Sequence, residues 1–152
     1  MRGRVESINT SRGGPLKAGV FEARVTGHGI DGDHQNDERY HGGPDRAVSL
    51  YSLEAIRALQ AEGHPIRPGS AGENLTLSGL DWPALAPGIQ IRIGPVHLVV
   101  TNYAAPCEKV KGSFLKGEFT RISQKRHPGW SRLYARVLSG GVIRPGDDVD
   151  VA

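Results

Sequence analysis

One cysteine, Cys107, is the side chain of this 152-residue chain best suited to covalent or metal chemistry. It lies in the run YAAPCEKVK, residues 103–111, directly after a strand-like segment. Lys109 and Lys111 could favour its thiolate, which is the nucleophilic and metal-binding form. Cysteine is also a common small residue of protein interiors. From the residues alone, a reactive role and a purely structural role for Cys107 therefore both stay open.

A polar tract between residues 27 and 46 contains three histidines and four aspartates. Imidazole and carboxylate groups are both good ligands for divalent cations. Their spacing, however, matches no known ligand motif, and aspartate and glycine are also the usual residues of turns. We therefore predict a long functional loop here. A metal site made by protein side chains alone is the weaker interpretation.

Two short motifs could bind a small ligand through polar contacts. In His41-Gly42-Gly43 the glycines leave room for backbone N–H groups to approach a ligand, and Arg46 adds a donor. In Gly72-Glu73-Asn74 a carboxylate next to a carboxamide could hydrogen-bond a heterocycle. An ordinary turn that leads into a strand explains the second motif equally well.

The formal net charge of +3 is unevenly distributed along the chain. Residues 109–144 hold nine Lys or Arg and one acid, whereas residues 31–46 hold five acids and two arginines. Phosphate recognition explains the basic stretch, since arginine pairs with phosphate oxygens. A solvated basic face is one alternative, and nucleic-acid binding through Trp130 and Tyr134 is another. The absence of a nucleic-acid module pattern and the acidic loop disfavour a nucleic-acid partner.

The elements that must position these residues are short. Glycine and proline make up 31 of the 152 residues, which favours strands joined by turns over long helices. A helix is predicted over residues 53–62, with Ser52 as its N-cap, and Gly140-Gly141 predicts a hairpin. The predicted strands are residues 3–8, 20–26, 47–51, 74–77, 89–93, 96–103, 133–138, 142–143 and 148–151. The pattern predicts a mainly β protein with few helices (α+β), built as a closed or nearly closed β-barrel.

Composition excludes several classes of protein. Its 38% hydrophobic and 23% charged residues argue against disorder, and one cysteine excludes an intrachain disulfide framework. The apolar stretches fall far short of the roughly 20 residues needed to span a bilayer, and no signal-peptide pattern is evident. We therefore expect a cytoplasmic protein with a single domain over residues 1–152 and no membrane partner.

Taken together, the motifs resemble the MOSC domain, the family named for the C-terminal domain of molybdenum cofactor sulfurase. The resemblance covers nearly the whole chain, and the order and spacing of several motifs make it far more specific than any one of them. The matching segments are residues 29–35 (GIDGDHQ), 41–48 (HGGPDRAV), Tyr51, 72–76 (GENLT), Pro106-Cys107, Gly129-Trp130, 135–138 (ARVL), Gly141 and Gly146-Asp147. Many members carry a Pro-Arg-x-Pro-Cys run, and in this chain Ala104 stands in the position of that arginine.

The resemblance implies a β-barrel-rich fold and a molybdenum cofactor based on molybdopterin. In such proteins the single cysteine is a molybdenum ligand or a sulfur carrier, which assigns that role to Cys107. Stand-alone members look like bacterial proteins that reduce N-hydroxylated compounds. A small-molecule substrate and a separate electron-donor reductase or sulfur donor are therefore the expected partners. The resemblance also leaves pyridoxal phosphate binding open.

Two groups of residues are expected to contact the molybdenum cofactor. The basic side chains that would neutralise its phosphate are Lys125, Arg126 and Arg132. The residues that would line the pterin are His41, Gly42, Gly43, Asp45, Arg46, Glu73 and Asn74. Two other functions stay open: a persulfide carrier or cofactor-binding module without redox turnover, and a binder of nucleic acid or another polyanion.

Overall fold

Eleven strands and one α-helix form the fold in the residues that the computed structural model describes, which are 1–11, 17–33 and 43–152. The strands are β1 (Arg2–Thr10), β2 (Ala18–Val20), β3 (Ala23–Thr26), β4 (Gly29–Ile30), β5 (Val48–Ser52), β6 (Leu75–Ser78), β7 (Gln90–Ile93), β8 (Val96–Ala104), β9 (Arg132–Ser139), β10 (Gly141–Ile143) and β11 (Asp148–Val151). The helix is α1 (Leu53–Ala61). Short 3-10 segments cover Pro44–Arg46, Trp82–Ala84, Glu108–Ser113, Leu115–Gly117 and Phe119–Ile122.

Seven of the strands close into a barrel. Their order is β11-β7-β8-β9-β5-β6-β1, and pairing of β1 with β11 completes the ring. The β5–β6 pair is parallel, and α1 lies in the crossover that a parallel pair requires. A smaller sheet contains β10, β3 and β4. The predicted mainly β fold with a closed barrel is confirmed.

Both faces of the central strands are buried, but their chemistry differs. One face fills the barrel with aliphatic side chains such as Leu50, Leu75 and Leu133, each at most 1% exposed. Successive side chains of a strand point to opposite faces, so the residues between these aliphatic positions lie on the other face. They are polar and also buried: Ser49, Tyr51, Asn74, Thr76 and Arg132. A buried polar layer of this kind needs hydrogen-bond partners throughout, and it forms the floor of the candidate site.

The helix α1 follows its sequence signals. The Ser52 hydroxyl accepts the backbone N–H of Ala55 at 3.1 Å, which caps the helix as predicted. Ile56 and Leu59 lie one turn apart on the buried face. Gly63, with a φ of 101°, ends the helix in a left-handed conformation. None of the helices in the described ranges is long and apolar enough to cross a membrane.

Two predictions about strands were wrong. The segment predicted as one strand over residues 20–26 is two strands, because β2 pairs with β1 and β3 pairs with β10. Phe21, at the break between them, is 93% exposed instead of buried. The Gly140-Gly141 pair does not form a hairpin of β9 with β10, since β10 leaves the barrel to pair with β3. A Cβ on Gly140 would collide with the carbonyl of Val25, so this glycine permits the close approach of the two segments.

Candidate functional site

The free thiol of Cys107 lies just beyond the end of β8, where the chain leaves the barrel. Its side chain is partly exposed and its backbone is extended, with φ −133° and ψ 172°. The Cys107 carbonyl accepts the N–H of Val110 at 3.1 Å and so begins the 3-10 segment Glu108–Ser113. A thiol at such a junction can reach both solvent and a ligand bound against the barrel end.

Arg132, at the start of β9, contacts the backbone on both sides of this junction. Its Nη1 donates to the carbonyl of Ala71 at 2.7 Å, and its Nη2 lies 3.4 Å from the carbonyls of Ala104 and Ala105. The residue is 7% exposed. Its Nε has no hydrogen-bond partner in the part of the chain that the structure describes. The guanidinium that we expected to bind phosphate is therefore largely committed to the protein backbone.

Glu73 is the second charged residue of the buried polar layer. Its Oε2 accepts the hydroxyl of Thr76 at 3.1 Å, whereas its Oε1 has no partner among the described residues. Burial raises the pKa of Glu73, while backbone hydrogen bonds and the charge of Arg132 act in the opposite direction. A buried polar atom without a partner is what an ordered water or a ligand would satisfy. Glu73 and Arg132 therefore supply one open acceptor and one open donor to the candidate site.

Replacing Glu73 with glutamine is expected to flatten the pH dependence of stability. Because the folded-state pKa of Glu73 is raised, the fold holds a proton there at pH values where the unfolded chain has lost it. That contribution to the free energy of unfolding is fully present below the ordinary glutamate pKa. It is lost as pH rises through the folded-state pKa. Urea unfolding between about pH 4 and about pH 8 measures the change.

The control for this experiment is Glu118→Gln, since Glu118 is exposed. It should leave the pH profile of the free energy of unfolding close to that of the unchanged protein. A Glu73→Gln profile that falls with pH as steeply as the unchanged protein's would contradict the assignment.

Asn74 does not offer its amide to a ligand. Its Oδ1 accepts the N–H and hydroxyl of Ser49 at 2.9 and 3.2 Å. Its Nδ2 donates to Asp33 Oδ2 at 2.9 Å and lies 3.4 Å from the carbonyl of Asn9. All four hydrogen-bonding positions of this amide are thus filled by the protein. Of the predicted Glu73-Asn74 pair, only Glu73 keeps a polar atom open.

Asp33, from the tract considered for metal binding, forms a buried ion pair instead. Lys17 Nζ lies 2.6 Å from its carboxylate, and the two side chains are 7% and 5% exposed. The N–H of Ser11 donates to the same carboxylate at 2.8 Å. Across the described ranges, no group of three or more His, Cys, Asp or Glu is placed to hold a metal ion. His34, Asp37 and His41 of this tract lie outside the described residues.

Of the predicted pterin-side residues, Asp45 and Arg46 lie against β8 and β9. Asp45 Oδ1 accepts Arg136 Nε at 2.9 Å in an exposed pair, and the Asp45 carbonyl accepts the hydroxyl of Thr101. The Arg46 guanidinium lies over the ring of Tyr134 at 5.4 Å. Gly43 precedes them with a φ of 91°. Gly42 falls outside the described residues, as His41 does.

Lys125 and Arg126 are exposed in the turn before Trp130. The turn is closed by the N–H of His127, which donates to the carbonyl of Ser123 at 2.8 Å. A second bond joins the N–H of Gly129 to Gln124 Oε1 at 3.0 Å. The backbone of this turn is therefore fixed while both cationic side chains extend into solvent. This arrangement suits contact with a phosphate group.

A group of contacts around Trp130 was missed in the sequence. Arg121 pairs with Glu62 at 2.8 Å and stacks on Trp130 at 4.2 Å. The hydrogen bond from Arg121 is the main cause that lowers the pKa of Glu62. Tyr51 donates its hydroxyl to the carbonyl of Trp130 at 2.7 Å, and burial raises its pKa, so it stays a donor. The basic stretch marks Arg121 in the sequence, but nothing local indicates its distant partner, Glu62.

A model of the MOSC domain matches residues 37–150 of the chain. The chain belongs to the MOSC domain family. The resemblance seen in its motifs is thereby confirmed.

Among curated MOSC relatives, YflK of Bacillus subtilis is 30% identical over 138 residues, which are 90% of this chain and 60% of YflK. YiiM of Escherichia coli is 29% identical over 126 residues, 80% of this chain and 55% of YiiM. The chain thus spans little more than half the length of these relatives. Among solved structures, YiiM from Geobacillus stearothermophilus superposes with a TM-score of 0.76 at 25% identity, covering 99% of this chain and 75% of that one.

Proposed function

We propose that this chain binds the molybdenum cofactor through Cys107 and reduces N-hydroxylated compounds with electrons from a separate reductase. The observation that carries the proposal is the placement of the protein's one thiol. It is free, partly exposed and directly after β8, in a chain that belongs to the MOSC domain family. A thiolate is a soft ligand suited to such a metal.

Several other residues carry the chemistry that a phosphate-bearing pterin cofactor needs. Lys125 and Arg126 would neutralise the phosphate from their fixed turn. Glu73 Oε1 and Arg132 Nε, both buried and unpartnered in the described part of the chain, are open to polar atoms of the pterin. Gly43, Asp45 and Arg46, together with His41 and Gly42, stay predicted contacts on its other side. This set of donors is consistent with the molybdenum cofactor, with which the MOSC family is associated.

The cofactor, when bound, would supply two-electron chemistry able to remove oxygen from an N–O bond. The protein's own residues would bind and orient the cofactor. Cys107 would hold the metal, the basic turn would compensate the phosphate charge, and Glu73 and Arg132 would offer their open buried atoms to the polar end of the pterin. Electrons would come from another protein.

Metal and pterin analysis of protein made in a cofactor-competent host tests the proposal. We expect about one molybdenum per chain in the unchanged protein and a loss of more than tenfold in Cys107→Ala, because the thiolate ligand is removed. The control is Ser123→Ala, which removes one side-chain heteroatom at another partly exposed position and leaves the thiol in place. Equal molybdenum in the unchanged protein and in Cys107→Ala would reject the ligand role. A reductase-coupled assay with an N-hydroxylated base then tests the reaction itself.

The partial exposure of Cys107 also suits a second function, a persulfide carrier that delivers sulfur to a partner. Persulfide transfer needs a thiol that another protein can reach. Intact-mass measurement after incubation with a cysteine desulfurase distinguishes the two functions. An added sulfur atom on Cys107 in protein that binds no molybdenum would favour the carrier. An unmodified Cys107 in molybdenum-loaded protein would favour the enzyme.

A further inference from the structure

We propose that Arg132 is a positioning residue for Cys107, rather than a ligand of the cofactor phosphate. This inference rests on the proposed function only in taking Cys107 as the reactive group.

The carbonyls of Ala104 and Ala105 converge on one guanidinium. Both lie 3.4 Å from Arg132 Nη2, while Nη1 donates to Ala71 at 2.7 Å. Arg132 thereby ties the end of β8 to the segment that leads into Glu73. Hydrogen bonds from a charged donor are stronger than those between neutral groups, and a lysine could not span these three carbonyls with its single nitrogen.

The chain after Cys107 is anchored separately to the same neighbouring segment. The Ser113 hydroxyl lies 2.9 Å from both the carbonyl and the hydroxyl of Ser70. The N–H of Leu115 donates to Nδ1 of His64 at 3.0 Å. These two contacts hold residues 113–115, whereas Arg132 holds residues 104–105. Cys107 therefore lies between two anchor points on residues 64–71, and Arg132 supplies the side-chain anchor on its N-terminal side.

The commitment of both terminal nitrogens explains why Arg132 is poorly placed for a phosphate. At 7% exposure, it would have to give up carbonyl contacts and move outward to meet an anion. Lys125 and Arg126 are exposed and need no such rearrangement. The charge of Arg132 also acts on buried Glu73, where it favours the ionised carboxylate. Both terminal nitrogens of Arg132 therefore face the protein backbone, and only its Nε stays without a partner in the described part of the chain.

The test uses alkylation of Cys107 by iodoacetamide in protein made without the cofactor. The chain has one cysteine, so intact mass reports this residue alone. Arg132→Met removes the donors and keeps most of the side-chain volume. We expect its alkylation rate to rise about tenfold, since freeing the carbonyls lets residues 104–107 open locally. Hydrogen exchange should accelerate in a peptide covering residues 104–110 and stay unchanged in α1.

Three further variants separate positioning from general loss of stability. Arg132→Lys keeps the charge and one donor group. Its alkylation rate should therefore lie between those of the unchanged protein and Arg132→Met. Arg57→Met, on the exposed face of α1, should react like the unchanged protein. Leu98→Ala lowers stability through a core cavity near the opposite end of β8 from Ala104, and it should not raise the alkylation rate of Cys107.

Two results would overturn the inference: an alkylation rate in Arg132→Met within twofold of the unchanged protein, or an equal rise in Leu98→Ala. Neither result depends on molybdenum. If the protein never loads molybdenum but the alkylation rate of Cys107 still rises in Arg132→Met, the positioning role would stand and the proposed function would be lost. If molybdenum loading is lost in Cys107→Ala but unaffected in Arg132→Met, and the alkylation rate of Arg132→Met is unchanged, the proposed function would stand and the positioning role would be lost.

Discussion

Replacing Lys17 with methionine is expected to lower the free energy of unfolding by about 3–5 kcal/mol. Lys17 and Asp33 form an ion pair at 2.6 Å with 7% and 5% of their side chains exposed. Among the residues that the structure describes, removal of the cation leaves the buried carboxylate with the N–H of Ser11 and the amide of Asn74 as its donors. An uncompensated buried charge of this kind is among the costliest single defects in a folded protein.

Urea unfolding followed by circular dichroism measures this loss, and the chain offers a matched control. Arg2 pairs with Asp150 at 3.0 Å, but these side chains are 70% and 51% exposed. Arg2→Met should therefore lower the free energy of unfolding by only a small fraction of the loss in Lys17→Met, because solvent screens the exposed pair. In the double variant Lys17→Met/Asp33→Asn both charges are gone, and part of the stability should return. Similar losses in Lys17→Met and Arg2→Met would show that the pair is not buried in solution.

The substitution Asn74→Asp should lower the free energy of unfolding nearly as much as Lys17→Met, although it replaces only the side-chain nitrogen with an oxygen. It would place a carboxylate oxygen where Nδ2 now donates to Asp33 at 2.9 Å. Two carboxylates at this distance repel, and Lys17 can compensate only one of them. We expect a loss of about 3 kcal/mol or more at neutral pH. The loss should shrink toward about pH 4, because the new carboxylate at position 74 then takes up a proton and is no longer repelled.

Asn74→Ala is the control that separates charge from lost hydrogen bonds. It removes the contacts to Ser49 and Asp33 without adding a charge, so we expect a loss of about 2 kcal/mol that does not diminish at low pH. Urea midpoints at neutral and acidic pH compare the two variants. If Asn74→Asp and Asn74→Ala lose the same free energy at both pH values, the contact between Asn74 and Asp33 is not formed.

The elements that the sequence predicts well depend on local patterns. Ser52 caps α1 where its spacing indicates. The buried positions of β8 alternate through Val96, Leu98 and Val100. Strand partners follow from long-range packing instead, so the exchange of β10 from β9 to β3 could not be seen in the Gly140-Gly141 signal. Closure of the barrel was predicted from composition together with the family resemblance, not from any single segment.

In the candidate site, too, local patterns predict some features, and long-range packing determines the others. Cys107 lies at the end of a strand, as the sequence predicts. Glu73 and Asn74 are adjacent in the sequence, yet only Glu73 keeps an atom open. The partners that saturate Asn74 lie 25 and 41 residues away, at Ser49 and Asp33. Arg126 and Arg132 belong to one basic stretch, but the start of β9 buries Arg132 while a turn exposes Arg126. Burial in the tertiary structure, and not residue type, separates their roles.

Closure of the barrel by β1 and β11 also has a kinetic consequence. The pairing joins residues at opposite ends of the described chain, with Arg2 opposite Asp150 and Arg4 opposite Asp148. Contacts of such long sequence separation slow folding, because a long loop must be ordered before they form. During synthesis the ring stays open until β11 is available, and the edges of β1 and β7 that β11 will cover are left unpaired. Edges of this kind can pair with other chains, so the interval before closure is when the nascent protein is most prone to aggregation.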